Sequence, residues 1–100
     1  MSRNKQFYSE YVKHMMRFYS RSLDIQTFKS DVDKNNWFTC NITLAKYPAY
    51  KDVLIDVYSG YGLLDEEVSN AAIKYRIERK FIWDLMKRFE RDLAQNRGLL

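Results

Sequence analysis

Four cations and one carboxylate recur along one face of the C-terminal stretch: Lys80, Asp84, Lys87, Arg88 and Arg91. Placed on a helix at about 100° per residue, they stand opposite an apolar stripe. Ammonium and guanidinium groups in such a row can neutralise phosphates, and cations at the start of a helix can read guanine edges. Arg79 and Lys80 suit the second task; Lys87, Arg88 and Arg91 suit the first. Lys74 and Arg76 flank the preceding turn and add two phosphate-contact candidates. Trp83 lies about 100° from the apolar stripe. It is expected either to pack against the edge of the third or fourth helix or to stack at a nucleic-acid boundary. Asp84, on the same face, opposes phosphate binding.

Catalytic chemistry has little to work with. The chain holds one histidine, His14, and one cysteine, Cys40. It has no phosphate-cradling glycine loop and no zinc-protease motif. A single cysteine excludes an intrachain disulfide, and with one histidine it makes a conventional zinc site unexpected. Acidic neighbours such as Asp31 with Asp33, or Asp65 with Glu66, are explained as acids at helix N-termini. The expectation is therefore a protein that is not an enzyme and has no cofactor and no metal.

The stripe that backs the cations sets the fold around them. Ile82, Met86, Phe89 and Leu93 fall at about 0°, +40°, −20° and +20° on one helix. A shorter helix, ending near Tyr75, precedes it after a three-residue turn. Ala72, Tyr75 and Ile77 continue the apolar seam. The charge follows the same division. Residues 1–67 carry nine cations and nine anions, whereas residues 68–100 carry eight cations and four anions. The whole net charge of +4 thus lies in the C-terminal third and favours a polyanionic partner.

At Ala72, Tyr75, Arg76, Ile77 and Ile82 the spacing resembles the helix-turn-helix in the fourth region of bacterial sigma-70 factors. It also resembles small phage and prophage regulators built on that motif. The likeness covers roughly the last half of the chain, including the buttressing helix from Tyr50 to Tyr61. It implies a sequence-specific transcriptional regulator whose last helix enters the major groove of double-stranded DNA, with RNA polymerase as a further partner. The implied contact set is Lys74, Arg76, Arg79, Lys80, Trp83, Asp84, Lys87, Arg88 and Arg91. Arg76 departs from the pattern, because the turn position usually holds a residue tolerant of positive φ. The stretch Asp33 to Trp37, DKNNW, is similar to small helical prophage proteins and carries no activity with it. The rival reading is a helical protein-interaction module, such as a phage adaptor or a subunit docking on RNA polymerase. The weak net charge and an aromatic first helix motivate it.

The rest of the chain reads as helix. Three glycines and one proline leave little punctuation for hairpins. A hydrophobic share of 46% with 16% aromatic is enough to fold. The expected architecture is all-α, a single helical domain over residues 1–100, with N-terminal helices in 1–47 and a trihelical part in 48–98. Five helices are predicted near 5–21, 31–46, 49–60, 65–75 and 78–96, after a frayed start at residues 1–4. In the first helix, Tyr8, Tyr11, Val12, Met15, Phe18 and Tyr19 recur at three and four residues. This wide stripe predicts a homodimer through Phe7, Tyr11 and Phe18. Ser30 is the expected N-cap of the second helix. Trp37, Cys40, Ile42, Leu44 and Ala45 are its expected buried residues, with Asp33 to Asn36 on the wetter side. A strand over Phe38 to Leu44 is the rival there. Val53, Leu54, Val57, Tyr58 and Tyr61 should face inward from the third helix, and Val68, Ala71, Ala72 and Tyr75 from the fourth. No apolar run reaches membrane-spanning length and no secretory segment follows Met1, so a cytoplasmic location is expected.

Overall fold

The computed structural model describes residues 7–100. The start of the first helix at Lys5, and the frayed residues before it, lie outside that range. Five α-helices follow one another: α1 (Ser9–Ser20), α2 (Asp31–Leu44), α3 (Lys51–Ser59), α4 (Leu64–Tyr75) and α5 (Arg79–Arg97). No strand occurs among the described residues, so Phe38 to Leu44 is helix. α1 packs on α2, α3 and α5; α3 also packs on α4, and α5 on α2 and α4. All five helices feed one core, from Val12, Met15 and Met16 on α1 to Phe89 and Leu93 on α5. No helix is long and apolar enough to cross a membrane.

The helix ends follow local chemistry. Ser30 caps α2, its side chain accepting from the Asp33 amide at 3.1 Å. Asp65, Glu66 and Glu67 occupy the first turn of α4, where the helix dipole favours acids. Gly98 ends α5 in the left-handed region at φ 84°. Arg76 does the same for α4 at φ 56°, and it is the one non-glycine residue with positive φ among those described. The Ile77 amide reaches back to the Ala72 carbonyl at 3.1 Å, the six-to-one closure of a Schellman end. A side chain in that conformation costs about 1–2 kcal/mol. The chain bears that cost to turn from α4 into α5 within three residues.

The inner face of α5 is wider than a single stripe. Ile82, Met86, Phe89 and Leu93 are buried, but so are Leu85, Glu90 and Ala94. Three helices pack on α5, namely α1, α2 and α4, and they account for the extra width. Ala72, Tyr75 and Ile77 are only partly buried against this core.

α2 departs further from expectation. Cys40 and Leu44 are buried and Trp37 is half-buried, but Ile42 is 57% exposed and Ala45 is exposed as well. The buried polar residues are Asn36 and Thr43. Asn36 lies inward because its amide bridges two elements: Nδ2 donates to the Tyr11 hydroxyl at 3.0 Å, and Oδ1 accepts from Arg97 Nε at 2.7 Å. Thr43 Oγ1 donates to the Thr39 carbonyl at 2.7 Å and accepts from Asn96 Nδ2 at 2.9 Å. Tyr61 also stays out of the core. It is 85% exposed, with the Arg21 guanidinium 3.9 Å above its ring. That same guanidinium donates to the carbonyls of Ser59 and Gly60 at the end of α3.

Candidate nucleic-acid interface

Nine side chains form the expected nucleic-acid contact set, and ion pairing divides its seven cations into two groups. Toward the start of α5 the cations are paired. Arg79 donates to Asp65 in the first turn of α4. Lys80 Nζ lies 2.9 Å from Asp84, one turn along the same helix. Lys74, on α4, lies 2.8 Å from Asp56. The Tyr75 hydroxyl donates to the same Asp56 carboxylate. Burial pushes Asp56 up, but the hydrogen bonds from Lys74 and Tyr75 outweigh it and hold this carboxyl below its ordinary value. The hydrogen bond from Lys80 likewise lowers Asp84, helped by the charges of Lys80, Lys87 and Arg88. The pairs at Arg79 and Lys80 are well exposed and contribute little to stability.

Farther along α5 the cations are unpaired. Lys87, Arg88 and Arg91 are exposed and form no ion pair with any described residue. Arg76, in the turn, is exposed and unpaired in the same sense. The start of α5 has no acid in its first turn, and Glu78 makes no side-chain cap. Its first backbone N–H groups thus have no side-chain acceptor from the N-cap, an arrangement that favours an approaching anion.

Trp83 stands at a boundary between core and solvent. It lines a cleft of about 600 Å³ whose other wall is α1, contributed by Tyr8, Ser9 and Lys13. Asp84, Lys87, Arg88 and Arg91 line the α5 side, with Glu90 deeper in. Trp83 is partly buried against the core. Its ring pairs with no other described aromatic ring, and its indole N–H has no acceptor among the described residues.

Glu90 anchors the base of this cleft. Its Oε1 lies 3.0 Å from Lys13 Nζ and 3.3 Å from Ser9 Oγ, and its Oε2 accepts from the Tyr58 hydroxyl at 2.6 Å. Burial raises the Tyr58 hydroxyl well above its ordinary pKa, and the adjacent Glu90 carboxylate adds to the shift. Three residues of the cleft, Ser9, Lys13 and Glu90, have no place in the sequence-based reading, and Tyr8 enters it only as part of the first-helix stripe. One signal for Glu90 was there: on the helical projection it falls at about +80°, beside the apolar stripe and away from the outer cations.

Among the described residues no three His, Cys, Asp or Glu side chains gather as metal ligands. Cys40 is buried, and burial pushes its thiol up to about 12. His14 is exposed on α1. Compared with known families, curated proteins and solved structures, the chain matches none.

Proposed function

We propose that this protein is a sequence-specific DNA-binding regulator of the phage and prophage type, using α5 as its reading helix. The observation that carries the proposal is the distribution of unpaired charge on α5. Lys87, Arg88 and Arg91 face solvent with no anionic partner among the described residues. The uncapped start of α5 and the tight three-residue turn before it add support. In this reading Lys87, Arg88 and Arg91 meet phosphates. Arg79 and Lys80 exchange their carboxylate partners for base edges when DNA arrives. Because those pairs are exposed, the exchange costs little. Pairing of two copies through Phe7, Tyr11 and Phe18 belongs to the same proposal. Phe7 and Tyr11 remain exposed and Phe18 is half-buried.

The test is binding to duplex DNA across a salt series. Affinity should fall steeply as salt rises, and Lys87→Ala or Arg91→Ala should each lower the slope by about one unit. Unchanged binding in both variants would refute the duplex-reading role. A second reading, a protein-interaction module docking on a partner such as RNA polymerase, is favoured by one observation. The outer side of α2 exposes Val32, Phe38 and Ile42. Absence of duplex binding at low salt would support it.

A further inference from the structure

We infer that the cleft between α1 and α5 holds an unpaired nucleotide, with its base against Trp83 and its phosphate on Lys87 and Arg91. The cleft shares these two cations with the proposed duplex-binding face, but it needs an aromatic wall that a duplex backbone would not use.

Three features of the cleft carry this. The first is an aromatic ring without a partner. Among the described residues, the aromatic pairs and the indole hydrogen bond of the two tryptophans belong to Trp37. Trp83 lines the cleft, and neither its ring nor its indole N–H has an aromatic or hydrogen-bond partner among the described residues. A base stacks on such a ring whatever its identity, because every base has a π-face. Tyr8 stands on the α1 wall as a second aromatic surface.

The second feature is the charge balance. Four cations line the cleft against two carboxylates. Glu90 is already engaged by Lys13, Ser9 and Tyr58, and Asp84 by Lys80. Neither carboxylate is left to repel a phosphate at full strength. Lys87, Arg88 and Arg91 remain as the surplus.

The third feature is spacing. Trp83, Lys87 and Arg91 follow one another at four-residue intervals, so they form a row along one side of α5. Each step is one turn, about 5.4–6 Å. A base on Trp83 therefore places its own phosphate near Lys87, and the next phosphate of a strand near Arg91. At about 600 Å³ the cleft has the size of a small-molecule site.

The chemistry admits two sources, a free mononucleotide or an unpaired nucleotide in a strand. Fluorescence anisotropy of a labelled oligothymidylate and of a labelled blunt duplex separates them, with adenosine monophosphate as competitor. The full chain should bind the oligothymidylate. Trp83→Leu, checked for unchanged melting, should weaken that binding about tenfold. Trp83→Phe, which keeps a ring, should restore most of it. Lys87→Ala, on the exposed side, should also weaken oligothymidylate binding severalfold. Competition by the mononucleotide assigns a free nucleotide; strand binding without competition assigns a strand. The inference is overturned if the oligothymidylate does not bind, or if it binds Trp83→Leu or Lys87→Ala as tightly as the parent. Duplex binding without strand binding would leave the duplex reading standing and remove this one. Strand binding without duplex binding would do the reverse.

Discussion

Trp37 and Trp83 are both half-buried on helices, and their surroundings differ in kind. Trp37 is ringed by Tyr19, Phe28 and Phe38 at centroid distances of 5.0, 6.1 and 5.1 Å. Its indole donates to the Ser22 carbonyl at 2.9 Å, fastening α2 to the loop after α1. Trp83 has neither a ring partner nor an acceptor among the described residues, and cations stand beside it. An aromatic side chain whose every surface and donor is used belongs to stability. One left with an open face and an open donor beside surplus charge is placed to meet something else. The sequence shows two tryptophans on helices and cannot tell these roles apart.

Replacing each tryptophan gives the largest expected contrast. Trp37→Ala removes an aromatic cluster and a partly buried hydrogen bond, and should destabilise by about 3 kcal/mol. In a domain of this size that lowers the melting temperature by more than about 10 °C. Trp83→Leu keeps apolar volume against the core and should cost less than about 1.5 kcal/mol. Thermal melts of the two variants measure both. Equal losses would erase the distinction between the two sites.

How much of this was legible depends on what holds each helix. α5 is held by apolar burial, so the 3.6-residue period of Ile82, Met86, Phe89 and Leu93 announces both its existence and its inner face. α2 is held partly by polar bridges: Asn36 to Tyr11 and Arg97, Asn41 to Tyr19, Thr43 to Asn96. Those partners come from α1 and α5, so no local period could reveal them. That is why Asn36 reads as wet and is buried, while Ile42 reads as buried and is exposed. The cations of α5 were legible as residues but their pairing was not. Asp65 lies fourteen residues before Arg79, and only the packing of α4 on α5 brings them together.

The next contrast concerns the base of the Trp83 cleft. Tyr58→Phe removes the hydroxyl that donates to Glu90 and leaves a buried carboxylate one partner short. A hydrogen bond to a charged group contributes about 1.5–3 kcal/mol, so a loss near 2 kcal/mol is expected by urea denaturation. The ring remains, so apolar burial is unchanged. A variant as stable as the parent would mean that Lys13 and Ser9 alone suffice for Glu90.

The Trp37 side offers a pH test through Cys40, three residues along α2. Burial raises this thiol from an ordinary 9.0 to about 12. The unfolded chain loses the thiol proton near the lower value while the folded chain keeps it. Above pH 9 the folded state therefore binds more protons, and stability falls as pH rises toward 12. The stability difference between the parent and Cys40→Ala, measured at pH 8 and pH 10, cancels the other titrating groups. It should shrink by about 1 kcal/mol. A constant difference would mean that the folded thiol ionises as easily as a free one.

The smallest effect belongs to the turn that sets α5, and with it Trp83, in place. Arg76 holds φ 56° to close α4, where glycine meets no steric penalty. Arg76→Gly relieves about 1–2 kcal/mol of backbone strain. Part of that gain is lost to the greater freedom of glycine in the unfolded chain. The balance should be a stabilisation of about 0.5–1 kcal/mol, seen as a higher urea midpoint with an unchanged slope. The exposed guanidinium is lost at the same time, and it forms no ion pair with the described residues. If Arg76 contacts phosphate, Arg76→Gly is thus more stable yet weaker on duplex DNA, with no change for an oligothymidylate seated at Trp83. A variant that is both more stable and fully competent on the duplex would take Arg76 out of the interface and leave the cations of α5 as the duplex contacts.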